Sequence, residues 1–127
     1  MIRKVSFYLL GYLFTLMMFN SCDYDFMKPE PIILPTDSIS FKTDIIPIFN
    51  RSCNMSGCHN SGSFFDLSPA NAYQTLISKN QILKDTLAAK SPLYLKITTG
   101  SMKDENNISL TDKALILKWM KEGAHNN

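Results

Sequence analysis

Histidines, glycine-rich stretches and long apolar runs are scarce in this chain, and each scarcity removes a class of function. Only two histidines, His59 and His125, occur in 127 residues. No Ser-His-Asp arrangement and no glycine-rich phosphate loop can be assembled from the remaining residues, so general acid–base or nucleophilic chemistry has few candidates. The chain is not expected to be an enzyme in its own right. No apolar run reaches the roughly 20 residues a spanning helix needs. Internal repeats are absent and strand patterns are weak throughout. The chain carries 13 basic and 11 acidic residues. Arg3 and Lys4 are two of the basic ones, which leaves 11 against 11 beyond the first 21 residues. Such a balance recommends neither nucleic acid nor anionic lipid as a partner of the remaining domain.

The opening residues hold the first positive signal. MIRKVSFYLLGYLFTLMMFNS has two cations, no acidic residue and an almost wholly apolar stretch from Val5 to Phe19. A cationic start, a short apolar core and small residues near a cut site describe a secretory signal peptide over residues 1–21. No basic stop-transfer cluster follows, which disfavours the alternative of an uncleaved anchor helix.

Phe19-Asn20-Ser21-Cys22 resembles a lipobox, the motif after which bacterial lipoproteins are cut and acylated on cysteine. Small Ser21 is its best feature; Phe19 and Asn20 stand where Leu and a small residue are usual. The resemblance implies lipidation of Cys22 and attachment to a bacterial membrane, since each buried methylene of the acyl chains contributes about 0.8 kcal/mol. Asp23-Tyr24-Asp25 resembles a surface-export signal of some Gram-negative lipoproteins. The outer membrane is therefore expected, at its periplasmic face or at the cell surface. An Asp after the cysteine elsewhere resembles an inner-membrane retention signal, so the face stays open. Lipidation also uses one of the three cysteines and leaves Cys53 and Cys58 as a local pair.

Residues 22–39 read as a lipidated tether. Pro29, Pro31 and Pro35 and the lack of a helical period favour an extended, semi-rigid segment. An edge strand through Ile32, Ile33 and Leu34 is the alternative, which three prolines oppose.

The domain, residues 40–127, reads as all-α with four short helices and long loops. The first spans about Thr43 to Ser52, with Pro47 admissible only in its opening turn. Ser68-Pro69 and Ser91-Pro92 are start signals for two more, the latter followed by Leu93, Tyr94 and Ile97 and stopped by Gly100. Thr111 is the expected cap of the last, whose stripe is Leu115, Ile116, Trp119 and Met120, with Gly123 ending it. A domain this small gains little from burial alone and often needs a disulfide, metal or cofactor.

Cys53-Asn54-Met55-Ser56-Gly57-Cys58-His59 is the one chemically loaded cluster. It is related to C-x-x-C-H, in which two thiols attach c-type haem and the histidine ligates iron. Here four residues, not two, separate the cysteines, and Ser56-Gly57 gives the backbone freedom to bulge. The surrounding sequence resembles exported cytochrome c-like domains. Ile45-Ile46-Pro47-Ile48-Phe49 is similar to their "I-x-P-I-F" helix, Leu67 falls in their "L-x-L" stretch, and Ser91-Pro92-Leu93 matches "S-x-L". Ser101-Met102-Lys103 stands where an "M-P-P" loop is usual, then Leu110-Thr111 matches "L-T". Trp119 to Ala124 matches the closing "W-I-x-x-G-A". The resemblance covers residues 41–124 and departs in the wide cysteine spacing and in Lys103 for Pro.

It implies a small class I cytochrome c-like domain carrying one covalent haem c on Cys53 and Cys58. His59 would be the proximal and Met102 the distal ligand of the iron, a pair that raises the reduction potential and suits electron transfer. A redox partner protein, unidentified, would then exchange single electrons with it. Ile46, Phe49, Leu67, Leu95, Ile97 and Trp119 would bury the haem. Met55 and Met120 read as packing or surface, and His125 as solvated.

Other readings of the cluster stand beside this one. A Cys53–Cys58 disulfide could staple a haem-free surface lipoprotein with a binding or assembly role. Zinc would need a fourth ligand from His125 or a carboxylate, and a redox dithiol would expect C-x-x-C in a βαβ setting.

Overall fold

The computed structural model describes residues 31–102 and 108–127. The expected signal peptide, Cys22, residues 23–30 of the tether and the loop 103–107 lie outside the described residues. Among the described residues the structure is helical, without strands, as the all-α reading expects. No described helix is long and apolar enough to cross a membrane.

A π-helical turn, Phe41–Ile45, runs directly into helix α1, Ile46–Ser52. Ser40 caps the turn: its hydroxyl accepts from Thr43 N at 3.3 Å and its amide donates to Asp44 Oδ2 at 2.7 Å. Pro47 lies in the first turn of α1. It has no N–H for the carbonyl four residues back and its ring would crowd that carbonyl, so the wider π turn before it relieves the conflict. Ile45, Ile46, Ile48, Phe49 and Ser52 are buried.

Helix α2, Ala72–Ser78, begins three residues later than the Ser68-Pro69 signal suggests. Ser68 does not cap it. The Ser68 amide instead donates to Asp66 Oδ1 at 2.8 Å, and residues 68–71 form a separate turn. A 3₁₀ turn, Asp85–Lys90, leads into helix α3, Pro92–Thr98, with Pro92 at its start as expected. Ser91 precedes it without capping. Its hydroxyl bridges the Leu83 amide and carbonyl, at 2.9 and 3.0 Å, and so ties the loop to the helix.

Helix α4, Leu110–Lys121, is capped by Ser109 and not by Thr111. Ser109 Oγ accepts from Asp112 N while Asp112 Oδ2 accepts from Ser109 N, both at 3.0 Å. This reciprocal pair satisfies two otherwise orphan donors. Asp112 also receives Arg51 at 2.8 Å, which ties the end of α1 to the start of α4.

The core centres on Phe41, whose ring meets Trp119 at 5.0 Å, Tyr73 at 5.3 Å and Phe49 at 6.2 Å between centroids. Tyr73 and Trp119 send their polar tips to the Ala124 and His125 carbonyls, at 3.1 and 2.9 Å. Large aromatics are thus buried without orphaning a donor. Met120 belongs to this core, whereas Met55 is half-exposed.

The last residues of the expected tether belong to the packed domain. Ile39 is buried, and its amide donates to Glu122 at 2.8 Å. Lys118 pairs with Glu122 and reaches the Asp37 carbonyl at 2.9 Å. Ile33, by contrast, is 86% exposed.

Candidate functional site

The site is an apolar cleft of about 310 Å³ between the end of α1, the loop that follows it, α3, and the segments on either side of loop 103–107. Cys53, His59 and Met102 all line it, together with Phe65, Leu67, Leu93 and Ile97. Three of the four expected haem-site residues are therefore brought together from positions up to 49 apart in sequence. Cys58 is the fourth; it is exposed and does not line the cleft.

Cys53 follows directly on α1, with its amide bound to the Phe49 carbonyl at 2.8 Å. It is buried and unpaired. Burial, reinforced by nearby Cys58 and Asp112, pushes its thiol up to about 11. Cys53 is thus protonated at neutral pH, which disfavours thiol–disulfide exchange because the thiolate is the attacking form. The loop then closes on itself: Cys58 N donates to Met55 O at 2.9 Å and His59 N to Cys53 O at 3.2 Å. Gly57 turns the chain at a φ of +82°, a conformation most side chains resist.

His59 is held from the far side. Its Nδ1 lies 3.0 Å from the Phe65 carbonyl, and the two rings meet edge to face at 5.2 Å. A carbonyl only accepts, so Nδ1 is the donor in this contact, which leaves Nε2 as the nitrogen turned to other partners. Metal-binding histidines are commonly oriented in this way through their second nitrogen. Asp66 secures the loop that supplies that carbonyl. Its carboxylate accepts from Ser68 N, from Gly62 N at 3.0 Å and from Asn71 Nδ2 at 2.9 Å. These bonds, chiefly those from Ser68, hold it well below the usual carboxylate range.

Met102 is half-buried and also lines the cleft. Its amide donates to the Lys96 carbonyl at 3.1 Å, so the chain doubles back over the end of α3. Gly100 makes this possible: a Cβ there would stand 2.9 Å from Lys96 Cα and 3.2 Å from the Leu95 carbonyl.

Several lining residues carry no sequence signal. Ser52, Gln81, Lys96 and Ile108 reach the cleft only through the packing of separate segments. The buried Ser52 hydroxyl has no hydrogen-bond partner among the described residues, a property it shares with Ser63 outside the cleft lining. Of the six residues expected around the haem, Leu67 and Ile97 line the cleft. Phe49 and Trp119 lie in the Phe41 core, Ile46 is buried outside the cleft lining, and Leu95 is 45% exposed. His125 does not reach the cleft either. Among the described residues no group of three or more His, Cys, Asp or Glu is placed to hold a metal ion by itself.

Acid should weaken this region. Asp66, Asp112 and Glu122 are all held below the ordinary carboxylate value. Glu122 is held by Lys118 and Ile39, whereas at Asp112 burial acts upward and is outweighed by Arg51 and Ser109. Each depressed group adds stability above the unfolded carboxylate pKa, about 4, and loses it as pH falls through the folded value. The melting temperature is expected to be flat from pH 7 to 5 and to fall below pH 4. Asp66→Ala should lower it at pH 7 and leave a shallower acid slope, measured by circular dichroism melts.

Comparison of the chain with known protein families, with curated proteins and with solved structures finds no match.

Proposed function

We propose that this chain is a membrane-anchored, mono-haem c-type cytochrome-like protein that carries single electrons to or from a partner protein. The anchor would be lipidated Cys22, and the haem would occupy the cleft between His59 and Met102. The observation that carries the reading is the convergence of one oriented imidazole, one thioether and one buried thiol on a single apolar cleft.

The cleft's residues fit the group. Its walls are apolar side chains, which keep water from a flat macrocycle, and its donor set is nitrogen and sulfur, the types that hold haem iron. Within the lining, the buried Ser52 hydroxyl has no partner among the described residues and is open to a polar group of a ligand. His59 would be the proximal ligand, fixed in orientation by the Phe65 carbonyl, and Met102 the distal one. When bound, the haem supplies a one-electron couple. The protein's share is to exclude water through Phe65, Leu67, Leu93 and Ile97 and to keep both ligands in place.

The reading is tested by exporting the chain in a host with haem-attachment machinery. Sharp reduced absorption bands and a one-electron Nernst slope in a potentiometric titration are expected. A folded, colourless protein would overturn it and favour the disulfide-stapled binding protein.

A further inference from the structure

We propose that the haem of this chain is held by a single thioether at Cys53, with Cys58 left as a free thiol facing solvent. The inference rests on the haem reading above and concerns how unequally the two cysteines are placed. Cys53 is buried in the cleft with His59 and Met102, whereas Cys58 is exposed and outside it.

The four-residue spacing causes this inequality. Asn54 still bonds back to α1 through the Phe49 carbonyl, and Met55 to Cys58 then form a turn of their own, closed by Cys58 N on Met55 O and reversed at Gly57. The next residue, His59, is fixed three times: by its amide on Cys53 O, by its carbonyl accepting Leu67 N at 2.8 Å, and by Nδ1 on the Phe65 carbonyl. Cys58 is thus held in its outward place by the Met55 turn before it and by the three bonds of His59 after it, and any shift of its backbone toward the cleft works against them. Cys53 has no such conflict, because its place is set by the end of α1.

The chemistry balances with one cysteine. The Cys53 S–H adds across one vinyl group of the haem. A C–S bond forms, the S–H bond and the C=C π bond break, and the hydrogen ends on the other vinyl carbon. Nothing is oxidised or reduced overall. The second vinyl group stays intact and conjugated, and Cys58 stays S–H.

The full chain, exported with haem-attachment machinery, would be treated natively with iodoacetamide under mild reduction and then weighed and peptide-mapped. The haem-bearing species is expected to gain an alkyl group that maps to Cys58, with haem on the Cys53 peptide. Its alkaline pyridine spectrum should lie to longer wavelength than that of a two-thioether standard, since one vinyl group remains. A haem-bearing species that leaves Cys58 unalkylated, with both cysteines bridged to the macrocycle, would overturn single attachment and leave the haem reading standing. A colourless product would overturn both. Cys53→Ser should abolish covalent haem and Cys58→Ser retain it. Should Cys58→Ser fail to mature, the alkylation pattern of the unmutated chain still decides.

Discussion

Trp119→Ala is expected to destabilise the domain by about 3–5 kcal/mol, the usual range when a large buried aromatic is cut to alanine. Trp119 is fully buried, packs on Phe41 at 5.0 Å and donates from Nε1 to the His125 carbonyl. Its loss opens a cavity at the centre of the aromatic cluster and orphans the end of the chain that crosses it. For a domain of this size 1 kcal/mol moves the melting temperature by roughly 4–8 °C. The variant should therefore melt roughly 12–40 °C lower, or fail to fold, in thermal circular dichroism. Trp119→Phe keeps most of the apolar area and loses one hydrogen bond, so a cost nearer 1 kcal/mol is expected. Equal effects from the two substitutions would show that packing on Phe41 is not what holds this core.

The second large effect concerns the proposed iron ligand. Met102→Ala is expected to leave the covalent haem in place and lower the reduction potential. The drop should be on the order of 0.1–0.3 V, a fraction of the roughly 0.8 V that axial ligands command. The reduced spectrum should lose its low-spin character at the same time. Gly100→Ala should move the potential in the same direction by less, because the added Cβ collides with Lys96 and Leu95 and pushes Met102 off its position. Met55→Ala serves as the control: Met55 is half-exposed and does not line the cleft. If Met55→Ala and Met102→Ala shift the potential alike, Met102 is no ligand.

Much of this arrangement was legible in the residues, and the failures have physical causes. The start of α3 at Pro92 followed from proline's fixed φ, and its end at Thr98 comes two residues before the Gly100 stop signal. The stripe of α4 was readable because Ile116, Trp119 and Met120 recur at helical spacing. Its cap was misplaced because Ser109 and Thr111 are both good caps, and only the partner Asp112, three residues after Ser109, decides between them. Ser68 and Ser91 looked like caps too. Other partners took both hydroxyls, Asp66 that of Ser68 and the Leu83 backbone that of Ser91. At the site, Cys53, His59 and Met102 carried chemical signals of their own. The outward face of Cys58 did not, since it depends on the turn at Gly57 and on the Phe65 carbonyl that fixes His59. The Ser52 hydroxyl, without a partner among the described residues, was equally silent, because a serine at a helix end is ordinary until its surroundings are known.

The central claim is that the cleft between His59 and Met102 takes a covalently bound haem. Its most direct test is the intact mass of the exported, purified chain under denaturing conditions. A chain heavier by one haem is the predicted result. A chain without that increment, lighter by two hydrogens for a Cys53–Cys58 disulfide, would contradict it.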